Sequence, residues 1–550
     1  MKARGSLQTV GQVLALTLFC LALYVPGLTV VPPLDRDEAR FAQATKQMLE
    51  TGDLVDIRFQ EEPRHKKPAG IHWLQAASVA LVGEPKTTIW PYRLPSALAA
   101  WAAALLVFAV GASLFDRRTA WLGAGLTAGS VMLVLEAHQA KTDAVLLATV
   151  VAAQLALARL YMSGRADAAD VKPPGIAAAL TFWNAQAVGI LVKGPIAPLV
   201  SGLTILALVL ADRDGRWLKG LRPKLGVPLA LAIVAPWAIA IGVVTDGAFY
   251  TSAIGSDLLS KVGSGQESHG AWPGYHMLLM LALFWPGSLY GWPALLQAWR
   301  TRAAPGVRFC LAWLVPAWLV FELVPTKLPH YVLPLYPALA LLTAHAVLGT
   351  AGRLDARWVR AIQVVWAALA IALGVAAMVL PAILGDGFTA WSLVPAAAAF
   401  AAAVLTLRLT WRGRPLAATL CALLLGAVTL ASTLHWVMPR LSDLWLSREI
   451  AALVAEAAPA GDPVVAVAGL SEPSLVFLLG TRTRLTDGAG AARHLAASPG
   501  VVVVVSAREA DAFRSTAADL GVVPCLRGAV TGLNYSKGDD LQLTLYDRSC

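Results

Sequence analysis

Charge is scarce in this sequence. Of 550 residues, 14% are Asp, Glu, Lys or Arg, while 57% are apolar, a balance that excludes an ordinary soluble globular chain. Cysteine is scarce too. The five present (Cys20, Cys310, Cys421, Cys525 and Cys550) have no metal-ligand spacing, which excludes a zinc finger or ribbon. Although the formal charge is +10, the basic residues sit in short loops and form no patch interleaved with aromatics. Nucleic acid is therefore not an expected partner.

What is abundant is apolar sequence in stretches of about 20 residues, the length needed to cross a hydrocarbon core as a helix. From 10–31 to 416–435 these stretches read as about 13 transmembrane helices. The loops alternate. Lys2 and Arg4, Arg117 and Arg118, Arg213 to Lys224, Arg300 to Arg308 and Arg408 to Arg414 fall on one side, which the positive-inside rule makes cytoplasmic. The N-terminus is then cytoplasmic, and the loops 35–89 and 245–275 face outward.

After residue 435 the pattern changes. "GDPVVAVAG", "PSLVFLLG", "GVVVVVSA" and "LQLTLYDR" read as strands bounded by Gly, Pro and Asp, and "EADAFRSTAADLG" reads as a helix. The expected architecture is a polytopic all-α membrane module over 1–435 with a small C-terminal α/β domain, 436–550, on the outer side. Cys525 and Cys550 could pair there, since that compartment permits disulfides.

Polar chemistry concentrates on the outer side. "DRDEAR" places Asp35, Asp37 and Glu38 at the start of "DEARFAQATKQMLETGD", whose apolar spacing fits an amphipathic helix along the interface. One or two acids there would suit the positive end of a helix; three beside Leu34 exceed that need. "EEPRHKKPAGIHW" then offers Glu61, Glu62, His65, Lys66 and Lys67, forked and point-like charges suited to an anion at the membrane surface or to anchoring. Single ionisable groups recur at the outward ends of later spans: Glu136, His138, Lys141 and Asp143, then Lys193 beside the helix-breaking Gly194-Pro195, His269, and Lys327 with His330. Such groups are costly at membrane depth and face interior cavities. A transporter would place its charges near the midplane of broken helices, whereas here they lie on one side.

Together "DEARFAQATKQMLETGD", "HKKPAGIHWLQA", "KTDAVLLA", "LVKGP" and "PTKLPHYVLPLYPALA" resemble bacterial lipid-linked glycosyltransferases of the GT-C type. These include the lipid A aminoarabinose transferase and, more widely, the protein O-mannosyltransferases. The resemblance runs over about residues 10–350. It implies a bacterial inner-membrane enzyme that takes a sugar from a polyprenyl-phosphate donor to a glycolipid such as lipid A or its core, with inversion. A protein O-glycosyltransferase and a nonenzymatic lipid-linked sugar flippase are the alternatives. In this resemblance Asp37 activates the acceptor, Lys67 and Lys193 sit at the donor phosphate, and Lys327 and Tyr336 lie near the donor pocket. Glu38, Lys66, Lys141, Asp143 and His269 join them as substrate-binding candidates. The family's acid before "KPP" is replaced here by Lys66, and Ala69 replaces the second proline. A divalent metal would then depend on His269 with Glu61 or Glu62, and no cofactor is certain.

Overall fold

The computed structural model describes residues 2–165, 175–260, 270–349, 356–457, 464–497 and 500–548. Among these residues nine helices are long and apolar enough to cross a membrane, from Trp90–Leu114 to Pro415–Arg440. A tenth crossing arises if Arg117–Ala128 and Val131–Ala137, bent 60° to each other, count as one. The remaining spans expected from sequence fall on shorter or broken helices. Gln8–Tyr24 and Ile196–Asp212 are short apolar helices, and the 276–296 run divides into Tyr275–Leu283 and Ser288–Arg300 around Pro286. Proline removes a backbone donor and ends the helical ladder there.

The first eight helices position the polar face. They are α1 (Lys2–Tyr24), α2 (Asp37–Thr51), α3 (Gly70–Val82), α4 (Trp90–Leu114), α5 (Arg117–Ala128), α6 (Val131–Ala137), α7 (Asp143–Ser163) and α8 (Ile176–Lys193). A short hairpin, β1 (Arg58–Phe59) with β2 (Glu62–Pro63), lies between α2 and α3. The expectation that 37–51 lies along the interface needs correction. Glu38, Ala39 and the run Phe41 to Met48 are all buried, because α3 covers one side of α2 and the C-terminal region covers another. Its polar residues are matched in place. Thr45 Oγ1 meets His72 Nδ1 at 2.7 Å and donates to Gln75, Gln43 Nε2 donates to Thr481, and Lys46 Nζ donates to the Phe477 carbonyl.

A residue that composition does not single out locks this arrangement. Arg93, near the start of α4, is fully buried. Its Nε and Nη2 hold both oxygens of Glu38 at 2.8 and 2.9 Å, and its other donors reach the carbonyls of Leu28, Val31 and Pro32. All five guanidinium hydrogens are thereby used. Arg93→Met strands a buried carboxylate and is expected to cost about 3–5 kcal/mol. Thermal unfolding in detergent checks this, and Arg93→Met combined with Glu38→Gln should recover part of the loss.

The C-terminal region forms a five-stranded mixed sheet from β3 (Val465–Ala468), β4 (Arg484–Thr486), β5 (Val502–Ser506), β6 (Cys525–Asn534) and β7 (Asp539–Asp547), in the order β4-β3-β5-β7-β6. The β3 pairings are parallel, and β7 runs antiparallel to both neighbours. Helix Ala510–Asp519 lies where the sequence placed it. "PSLVFLL", expected as a strand, is instead the helix Pro473–Leu479. Proline at the first helical position is preorganised for that start, and a short apolar run does not distinguish strand from buried helix. Cys525 is disulfide-bonded, while Cys550 lies outside the described residues.

Candidate active site

Three turns that the sequence assigns to the outer side meet at one end of the bundle. The first joins α6 to α7. The 60° bend after Ala128 turns α6 so that Glu136 stands beside the next turn, where Lys141 Nζ approaches Glu136 Oε1 at 3.2 Å. The second is the end of α8. Gly194, at φ +62°, stops the helix with Pro195 behind it, and Lys193 donates to Asp143 Oδ1 at the start of α7. The third is the helical turn Pro329–Leu335. It inserts His330 between the two carboxylates, with Nδ1 3.9 Å from Glu136 Oε1 and Nε2 3.8 Å from Asp143 Oδ1. Tyr331, next in the chain, places its ring 5.7 Å from Lys193 Nζ.

The "HKKPAG" segment joins this end through a close backbone contact. A Cβ on Gly70 would lie 2.6 Å from the Leu191 carbonyl oxygen, so only glycine lets α3 start against the last turn of α8. Lys67, three residues earlier, is near enough for its charge to act on His330. Asp37 acts in the same way on Lys141. Burial alone would lower the Lys141 pKa, but the carboxylates of Glu136, Asp143 and Asp37 outweigh it and hold the ammonium above the usual lysine value.

The expected site residues separate into groups. Lys141, Asp143 and Lys193 come together directly, with Lys67 and Asp37 at electrostatic range. Asp37 is exposed at the first turn of α2, and its carboxylate makes no hydrogen bond or ion pair among the described residues. Glu38 is different: its oxygens accept from Arg93, Leu34 N and Ala140 N, so it holds the loop and has no capacity to spare for a ligand. Lys66 is exposed. Lys327 Nζ donates to the carbonyls of Ala271 and Val324, both at 2.8 Å, which commits two of its three donors to backbone. Tyr336 is fully buried against Phe284, with no hydrogen-bond partner for its hydroxyl among the described residues.

His269 lies outside the described residues, and Glu61 and Glu62 are exposed on the β1–β2 hairpin. A different set offers ligands to a divalent ion. Glu136, Asp143 and His330 are buried, and their ligand atoms lie within 4.8 Å of one another. Glu136 Oε2 is buried without a partner among the described residues, an acceptor that a cation would satisfy. The residue types suit a metal, though Lys141 and Lys193 already neutralise the same two carboxylates. In the sequence Glu136 and Asp143 lie almost 200 positions from His330, and only the meeting of three spans makes them a set.

The C-terminal region closes over the first loop. Asp35 N donates to Tyr535 Oη at 2.6 Å, Arg36 donates to the Ser536 carbonyl, and Ser474 N donates to Asp35 Oδ1 at 3.2 Å. Burial pushes the Asp35 carboxyl up to about 6, against the Ser474 hydrogen bonds and with help from the Glu472 charge. A carboxyl raised in the folded state stabilises fully below its unfolded pKa, near 4, and loses that contribution as pH rises through about 6. Asp35→Asn should therefore raise the melting temperature more at pH 8 than at pH 5, as thermal unfolding at the two values will show.

The sequence and the fold are both similar to those of known proteins. Residues 66–239 match the family model described as dolichyl-phosphate-mannose-protein mannosyltransferase. The chain is 31% identical over 335 residues to the undecaprenyl phosphate-alpha-4-amino-4-deoxy-L-arabinose arabinosyl transferase of Aeromonas salmonicida, covering 60% of this chain and 59% of that one. It is 30% identical over 344 residues to the corresponding transferase 2 of Pseudomonas fluorescens, covering 61% and 59%. The matched part thus spans under two thirds of the length of these relatives. In fold the agreement is wider. ArnT from Cupriavidus metallidurans, bound to undecaprenyl phosphate, superposes with a TM-score of 0.75 at 18% identity, covering 99% of this chain and 98% of that one. The Archaeoglobus fulgidus oligosaccharyltransferase gives 0.54 at 12% identity, covering 98% and 74%. Over part of its length the chain is similar to the aminoarabinose transferases and to the mannosyltransferase model, and over nearly all of it the chain shares the fold of ArnT.

Proposed function

We propose that the protein is an inverting glycosyltransferase of the bacterial inner membrane. It moves a sugar from a polyprenyl-phosphate donor to a glycolipid acceptor, lipid A or its core, at the periplasmic face. The observation that carries this reading is the meeting of Lys141 and Lys193, with Lys67 at electrostatic range, at one end of the bundle beside the uncommitted carboxylate of Asp37. Cations fixed by Glu136 and Asp143 suit a lipid phosphate as leaving group, whose charge grows as the glycosidic bond breaks. Asp37 accepts the acceptor's proton or aligns its nucleophilic oxygen. Attack opposite the phosphate inverts the anomeric centre. A divalent ion held by Glu136, Asp143 and His330 would supply further positive charge.

In this reading residues 1–435 form a membrane module of about 13 spans, with α1, Ile196–Asp212 and the broken 275–300 segment completing the count. The N-terminus is cytoplasmic, and 436–550 is a periplasmic domain. The alternation of basic loops supports that orientation. Reporter fusions after Gly215 and Ser442 should read cytoplasmic and periplasmic respectively; two periplasmic readings would reverse the placement of the site.

The partial match to a protein mannosyltransferase model favours a second reading, in which the acceptor is a protein. Mass spectrometry of lipid A, core and periplasmic proteins from matched cells with and without the gene separates the two. Loss of one sugar mass from the glycolipid supports the first reading, and loss confined to peptides replaces it with the second.

A further inference from the structure

Asp37 is preceded by a backbone conformation that its neighbour does not favour. Arg36 has φ +66° and ψ −105°, close to the first central position of a type II′ turn, where glycine is the usual occupant. No side chain caps α2 at this end; Glu38 ties its first turn to Leu34 N, Ala140 N and Arg93, but none of these bonds holds the Arg36 side chain or the amide of Asp35. A further restraint, on residues 35 and 36 themselves, comes from far along the chain. The tip of the β6–β7 hairpin brackets Arg36: Tyr535 Oη accepts from the amide of Asp35 at 2.6 Å, and the Ser536 carbonyl accepts from the Arg36 guanidinium. The tip is itself held, since Asn534 Oδ1 accepts from Ser536 N and the Asn534 carbonyl accepts from Gly538 N at 2.7 Å. Ser474 N adds a third tie from the same region, to the Asp35 carboxylate. Glycine-type backbone at a non-glycine residue persists only where its surroundings impose it, and such positions cluster at functional sites.

We infer that the β6–β7 hairpin tip is a positioning element for the transfer reaction, with Tyr535 and Ser536 holding Arg36 in the conformation that sets the direction of the Asp37 carboxylate. This rests on the role proposed above for Asp37. It gives the C-terminal domain a part in catalysis that needs no contact with the donor phosphate. Tyr535 is a positioning residue, acting through the backbone of residues 35 and 36.

The test uses the full-length protein in proteoliposomes made from the total lipid extract of cells lacking it. Removing one neutral hydrogen bond by Tyr535→Phe should lower kcat about 3- to 10-fold and leave the apparent KM for the lipid donor unchanged. The discriminating step is Arg36→Gly added to Tyr535→Phe. Glycine adopts the required conformation without restraint, so the double variant should turn over faster than Tyr535→Phe alone. If Tyr535 served only to stabilise the domain contact, Arg36→Gly would remove a second tie to the hairpin and lower turnover further. That result, or normal kcat in Tyr535→Phe, overturns the inference. Asp37→Asn is measured alongside. Full turnover there discards the role of Asp37 and the inference with it, whereas an inactive Asp37→Asn with a normal Tyr535→Phe discards the positioning alone.

Discussion

Lys193→Ala is expected to abolish or strongly reduce sugar transfer at subsaturating lipid donor. The loss of a charge-assisted contact with a buried phosphate corresponds to about 2–5 kcal/mol, or roughly 30- to several-thousand-fold in kcat/KM. The substitution has a second consequence that must be separated from the first. Asp143 is buried and takes its direct ion pair from Lys193, so alanine leaves an uncompensated carboxylate and lowers stability as well. Lys193→Ala combined with Asp143→Asn removes both charges together. The double variant should regain the melting temperature lost by the single one and remain inactive. Recovery of activity together with stability would make Lys193 a structural partner of Asp143 and not a phosphate contact.

Asp37→Asn is expected to retain donor binding and lose transfer by about 10²- to 10⁴-fold in kcat. Asparagine keeps the size and much of the hydrogen-bonding shape of aspartate, and it suits the start of a helix. A role confined to the helix terminus would therefore survive the change. The carboxylate is exposed and unpaired among the described residues, so no internal bond is broken and stability should change little. Comparing retention of polyprenyl phosphate with turnover separates binding from chemistry. Full turnover would remove Asp37 from the mechanism and direct attention to Asp35, although Asp35 is already engaged with Ser474.

The part of the site that depends on single residues at span ends was legible in the sequence. Lys141, Asp143 and Lys193 stood out because charge at the end of an apolar span is costly, and Gly194-Pro195 marked the break beside one of them. What could not be read was which ends meet. His330 reaches Glu136 and Asp143 from a turn almost 200 positions later, and nothing in the periodicity of either segment encodes that contact. Arg93 was hidden for a different reason: one arginine near the start of a span reads as a side chain snorkelling to the headgroups, whereas it is buried with every donor used. Helix α2 was recognised as a helix but placed at the lipid interface, because its polar residues gave no sign that Thr481, Phe477 and His72 would satisfy them. The strand assigned to "PSLVFLL" failed where short apolar runs are ambiguous. The role of Tyr535 was invisible, since it depends on a hairpin tip meeting a loop 500 positions away.

The most direct test of the central claim is the stoichiometry of a single reaction. Protein reconstituted in proteoliposomes with lipid extract from cells lacking it should release free polyprenyl phosphate in equal molar amount to glycosylated acceptor, both quantified by mass spectrometry. Both products should fall together, and strongly, with Lys193→Ala or Asp37→Asn. If the lipid-linked sugar changes leaflet while its total amount stays constant, the protein moves the donor without consuming it, and the assignment as a glycosyltransferase is contradicted.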